Sequence, residues 1–175
     1  MKKLLAGLTI LISISSIGQQ ISNGDFENWV QQTYGEEPAN WGELSTQTLG
    51  SIIPGLIDST ILKSQDSYSG NFAMELRSKT YSIFGSSDTV TAFAMLNLKN
   101  AEIDSANMII ESNLLSLSGY IKQDIIDTSD NYTIITIIVY SSSGDMTGLG
   151  TLEFDSDLIN YTEFNIPIFY LDSVS

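Results

Sequence analysis

Four aromatic side chains, Trp29, Tyr34, Trp41 and Tyr68, are the residues best suited to holding a small polar ligand. An aromatic ring stacks on the apolar face of a sugar, and neighbouring carboxylates accept the hydroxyl protons. Two carboxylates stand nearby in the stretch Ile21-Ser22-Asn23-Gly24-Asp25-Phe26-Glu27-Asn28-Trp29, with Trp41-Gly42 following. Asn-Gly is a turn dipeptide. If the residues after it are extended, Asp25, Glu27 and Trp29 point one way and Phe26 points the other, toward a core. Packing competes for both tryptophans, because large aromatics are usually mostly buried. For Trp41, packing is the reading preferred here.

Composition narrows the chemistry. The 175 residues contain no Cys and no His, and 21 acidic residues face 7 basic ones, a formal charge of −14. Without His or Cys there is no imidazole base, no Ser-His-Asp triad, no thiol chemistry, no disulfide and no ordinary zinc site. A metal would have to take oxygen ligands, which favours calcium, with Asp25 and Glu27 as candidate ligands. The acidic surface repels nucleic acid and anionic lipid. Glycoside hydrolysis needs two carboxylates about 5–10 Å apart across a cleft, and no spacing singles out such a pair. A carboxylate-based glycosidase is therefore a rival and not the leading reading.

The start of the chain looks like an export signal. Lys2 and Lys3 precede an apolar run over residues 4–14, and Ser16-Ile17-Gly18 supplies small residues before a cleavage point. Residues 1–18 are read as a signal peptide, leaving 19–175 as one secreted domain. The apolar run is too short to span a bilayer, and no later stretch approaches about 18 consecutive apolar residues.

Short strands should position the site. Phe72, Met74 and Leu76 alternate with Glu75 and Arg77 after the turn Tyr68-Ser69-Gly70-Asn71. A second strand is expected over residues 91–98. A third is expected where Leu115, Leu117, Gly119 and Ile121 alternate with Ser116, Ser118, Tyr120 and Lys122. Residues 132–140 are nearly all β-branched or aromatic. With both faces apolar, they should form a central strand. Strands over residues 149–154 and 161–170 follow, the last with Phe164, Ile166 and Ile168 inward. Pro167 donates no ladder hydrogen bond, so that strand should be bulged or at an edge. Residues 30–60 read as irregular, 99–111 as a weak helix and 124–131 as an acidic loop. The expected fold is an all-β antiparallel β-sandwich.

Several runs carry a resemblance. Asn23-Gly24-Asp25-Phe26-Glu27-Asn28-Trp29 with Pro38-Ala39-Asn40-Trp41 resembles the opening of β-sandwich modules in secreted Bacteroidota proteins. The run from Ser69 through Ala73 to Leu76 is similar to a strand of galactose-binding-like jelly rolls. Leu117-Ser118-Gly119-Tyr120-Ile121-Lys122 and residues 164–170 are similar to strands of the carbohydrate-metabolism domain of that phylum. The resemblance implies a jelly roll on a secreted or cell-surface protein whose partner is a glycan or cell-surface polysaccharide. It also implies a structural calcium held by an early acid (Asp25, Glu27), by the turn at Ser69 and Asn71, and by a late acid. A further strand pair follows the Phe-x-Ile-Pro-Ile run in that family, so the chain is expected to be truncated at its C-terminus. The expected role is non-catalytic carbohydrate binding. A structural or adhesive module without a small ligand is the alternative.

Overall fold

Alternating and β-branched runs, broken by Gly, Pro and Asn, give strands and no helix among the residues that the computed structural model describes: 20–43, 58–83, 86–96, 98–99, 102–103, 114–124 and 132–171. The expected signal peptide, residues 100–101 and 104–111 of the expected helix and residues 125–131 of the acidic loop lie outside them. In chain order the strands are β1 (Trp29–Gln32), β2 (Gly35–Pro38), β3 (Trp41–Gly42), β4 (Ile61–Ser64), β5 (Ala73–Leu76), β6 (Lys79–Ile83), β7 (Ser86–Val90), β8 (Met95–Leu96), β9 (Leu98–Lys99), β10 (Glu102–Ile103), β11 (Ser116–Gln123), β12 (Thr133–Tyr140), β13 (Met146–Phe154), β14 (Leu158–Pro167) and β15 (Phe169–Tyr170). Every pairing is antiparallel. The architecture is all-β, in several sheets consistent with a sandwich.

The two longest pairings are β11 with β14 and β12 with β13, the latter extended by β15. Pro167 explains how they connect. It ends β14, where its missing N–H forfeits no ladder bond, and the chain then leaves β11 and pairs with β13 as β15. At the crossing, the Ile168 N–H donates to the Leu115 carbonyl at 2.9 Å. Ile166 and Ile168 are buried on either side of the proline, at 0% and 8% exposure. The expected inward set Phe164, Ile166 and Ile168 is therefore found inward, and the expected irregularity at Pro167 is a change of sheet.

Other expectations need correction. The strand over residues 132–140 exists but lies at the edge of the order β12-β13-β15 among the described strands. Ile134, Ile138 and Tyr140 are exposed on its outer side. An apolar residue on both faces establishes extended backbone but leaves neighbours on two sides undetermined. Residues 91–94 lie outside any ladder among the described residues; of the second expected strand, Met95–Leu96 pairs with β3 and Leu98 with β10. Leu98–Lys99 pairs antiparallel with Glu102–Ile103, where a helix is expected over residues 99–111. Residues 29–38 form the β1–β2 hairpin and are not irregular. Leu76, expected to face inward with Phe72 and Met74, is exposed at the end of β5, and Leu115 is exposed just before β11.

The close approach at the crossing predicts a sensitive position. A Cβ on Gly150 of β13 would stand 2.7 Å from the Pro167 carbonyl oxygen and 3.1 Å from Ile166 Cγ2. Backbone cannot swing aside as a side-chain tip can. Gly150→Ala should cost about 1–3 kcal/mol by overpacking, read as an earlier midpoint in urea unfolding. An unchanged midpoint would show that these strands do not approach so closely.

Candidate functional site

The N-terminal stretch is a knot of turns, not the extended run expected of it. Asn23 and Phe26 have positive φ, 50° and 55°, so Asp25, Glu27 and Trp29 do not share one face of a strand. Asn23 holds the knot closed. Its Nδ2–H groups donate to the carbonyls of Asn28 at 2.9 Å and Ala39 at 3.0 Å, and its Oδ1 accepts the Asn28 N–H at 3.0 Å.

Glu27 then reaches across the chain. Its Oε1 accepts the backbone N–H groups of Asn71 at 2.6 Å and Phe72 at 3.0 Å, and its Oε2 accepts Asn71 Nδ2–H at 3.0 Å. The Asn71 amide, and after it the two backbone donors, hold the Glu27 carboxyl below its ordinary value. Gly70 stands against this carboxylate with φ of 75°, and a Cβ there would overlap Glu27 Oε1. Two of the expected calcium ligands, Glu27 and Asn71, are thus brought together, but as acceptor and donor. Asp25 is exposed beside them, its Oδ1 3.5 Å from the Glu27 N–H, and Ser69 is exposed in the same turn. Among the described residues, no group of three or more acidic side chains is gathered to hold a metal.

This clasp fixes one end of the loop over residues 65–72, which lays Tyr68 and Asp66 over the sheet of β11 and β14. Tyr120 and Lys122 are two residues apart on β11, so they share its outer face. Tyr120 stands opposite Glu163 on β14, which places Glu163 and Tyr161 on that face as well. Tyr68 stacks on Tyr120 with ring centroids 3.5 Å apart and planes 12° apart, and Tyr161 meets Tyr68 edge-on at 6.0 Å. Tyr68 is 54% exposed and Tyr120 42%. Lys122 donates to Asp66 Oδ2 at 2.5 Å and lies 6.0 Å from the Tyr161 ring centroid; the Tyr161 hydroxyl donates to the Asp66 carbonyl at 2.5 Å. Hydrogen bonding with Tyr68 pushes the Tyr120 phenol up to about 12, and the Asp66 contact raises Lys122. The surface thus offers stacked phenol rings, one ammonium and the side-chain carboxyls of Asp66 and Glu163.

The other expected ligand aromatics lie in different surroundings. Trp41 packs on Phe26, centroids 5.4 Å apart, in agreement with the packing reading. The Trp29 indole N–H donates to the Phe26 carbonyl at 2.6 Å, and the Lys63 ammonium sits between rings, 4.3 Å from the Phe72 centroid and 5.4 Å from that of Trp29. Tyr34 donates to Glu37 Oε2 at 3.1 Å and lines an open depression of about 370 Å³ between β2, β4 and Lys79. Tyr120, Tyr161, Asp66 and Lys122 were not singled out from sequence. The outward alternation in β11 marks Tyr120 and Lys122 as surface residues. Nothing local marks their meeting with a loop more than fifty positions earlier.

One carboxyl has the protonation of a catalytic acid without the access. Glu43 is fully buried, and burial pushes it up to about 7, with Glu37 adding repulsion. Its Oε1 accepts the Thr60 N–H at 3.0 Å and its Oε2 accepts the Thr60 hydroxyl. It touches no open surface, so it acts in packing. Comparison with known proteins adds no relative: no protein-family model, no curated protein and no solved structure matches the chain.

The clasp predicts a pH signature. A carboxyl held below its ordinary value of 4.5 stabilises the fold above that value, and the contribution disappears as pH falls through the lower folded-state value. Glu27→Ala should lower the melting temperature at pH 7, and the gap from the parent should close as the pH drops below 4.5. An equal gap at pH 7 and pH 3 would assign the effect to something other than the carboxylate.

Proposed function

We propose that this chain is a secreted, non-catalytic β-sandwich module of jelly-roll type that binds carbohydrate on the Tyr68–Tyr120–Tyr161 surface. The observation that carries the reading is the exposed stacked pair of Tyr68 and Tyr120. An outer phenol face is available to the apolar face of a sugar ring, and Asp66, Glu163 and Lys122 stand around it to exchange hydrogen bonds with hydroxyls. The cation present is already paired with Asp66, which suits a neutral glycan at this surface. The N-terminal residues 1–18 support export, and the all-β architecture supports the sandwich.

A glycan array on the purified protein, followed by affinity electrophoresis with the best ligand, tests this. Tyr68→Ala should weaken binding by about tenfold, equivalent to roughly 1.4 kcal/mol, while Trp41→Phe should leave binding unchanged. Binding to no glycan, or full binding by Tyr68→Ala, would overturn the reading. The rival, an adhesive or structural module, draws on the outer face of β12, β13 and β15. There Ile138, Leu149 and Phe169 form one exposed cross-strand row. An empty array would favour it.

Calcium at Asp25, Glu27, Ser69 and Asn71 is a proposal with its own check. A cation there must displace the N–H donors that now occupy Glu27. Binding to the native state alone would raise the melting temperature with calcium concentration. Equal melting in chelator and in millimolar calcium would leave the amide clasp as the role of Glu27.

A further inference from the structure

The second site to consider is the depression beside Tyr34. Its roughly 370 Å³ falls near the lower end of ordinary ligand pockets, about 300–1,000 Å³. Tyr34, Asp58, Ser59, Leu62, Lys63 and Lys79 are among the residues that line it. Two of the seven basic side chains of a strongly acidic protein therefore converge on one small concavity. They are not equivalent. Lys63 is engaged, 3.8 Å from Glu36 and held over the Phe72 and Trp29 rings. Lys79 is half-buried at the start of β6 and has no ion-pair partner among the described residues. A partly desolvated ammonium with no ion pair among the described residues attracts an anion strongly.

We propose that this depression binds a carboxylate-bearing sugar, a uronic acid unit, with its carboxylate on the Lys79 ammonium and its hydroxyls donating to Asp58 and Glu36. The mixed lining selects this class. A dicarboxylate would set its second charge against Asp58 or Glu36, and a neutral sugar would leave Lys79 unmatched. Only the choice of a sugar rests on the carbohydrate reading above; the contact between Lys79 and a carboxylate stands apart from the tyrosine surface.

The charges around the site also give binding a pH dependence. Glu43 lies beneath, facing Lys79 of β6, which favours its ionised form, and Glu37 of β2, which opposes it; Thr60 donates its backbone N–H and its hydroxyl to it. Asp58, Glu36 and Lys63 on the lining complete the charged set. Burial holds Glu43 neutral until about pH 7. Below that, Lys79 has its full charge to offer a ligand; above it, Glu43 shares that charge and repels the incoming carboxylate.

Calorimetric titration of the purified protein with sodium glucuronate, glucose and sodium acetate at pH 6 and pH 8 tests the proposal. Glucuronate should bind at least tenfold more tightly than glucose or acetate at pH 6, and several-fold more weakly at pH 8. Lys79→Met should abolish the preference over glucose, and Tyr68→Ala should leave it intact. In the unsubstituted protein, amide NMR shifts on adding glucuronate should centre on residues 34–36, 58–63 and 79. Shifts centred elsewhere, or glucuronate binding no better than glucose, would overturn the site. Acetate binding as well as glucuronate would overturn the sugar assignment. An empty glycan array beside Lys79-dependent glucuronate binding would remove the tyrosine surface and keep this one.

Discussion

The Glu27 carboxylate bonded to the amides of Asn71 and Phe72 is the contact on which the tyrosine surface depends. It joins segments more than forty positions apart and needs only one charged group facing three N–H donors. Hydrogen bonds with a charged partner are shorter and stronger than neutral ones. Here they settle where a polar loop lies, a task for which the loop has few apolar side chains. Gly70 is required because the carboxylate approaches so closely that no side chain fits. Loosening this contact would free the far end of the loop that carries Tyr68, so a substitution at Glu27 acts on a surface it does not touch.

A second polar centre lies under the depression. Glu37, Glu43, Ser59 and Thr60 are all buried, whereas Ile61, Ile166 and Ile168 are the buried apolar residues among those described. Burying a carboxyl costs several kcal/mol when it stays ionised and unpaired. Glu43 avoids most of that cost by keeping its proton to near neutrality and by accepting from Thr60. The arrangement ties the segment before β4 to the residue after β3 by polar contacts where a larger domain would use aliphatic packing.

The parts legible in the sequence are those with local causes. Alternation over residues 116–122 and 164–168 gave the correct strands and faces, because a period of two is imposed by the pleat itself. Pro167 was correctly read as an irregularity from its missing donor. The N-terminal stretch was misread as extended, since Asn23 and Phe26 take up positive φ for the sake of contacts with Asn28, Ala39 and Trp41 that lie outside any short window. Residues 132–140 form the strand expected but lie at an edge among the described strands, because apolar character states an affinity and not a neighbour. Tyr68 was named for its chemistry, but its partners Tyr120 and Tyr161 come from strands far along the chain, where only tertiary pairing could reveal them.

The change of partner at Pro167 has a mechanical meaning. Residues 158–170 are one continuous run that is bonded first to β11 and then to β13. Tension applied through the end of that run would peel β15 from β13 with few bonds loaded at a time, and would next meet the much longer β14 ladder. Failure would therefore come in two stages of unequal strength, a weak release followed by a strong stop. That makes the short β15 segment an extensible link that yields before the tyrosine-bearing sheet is disturbed.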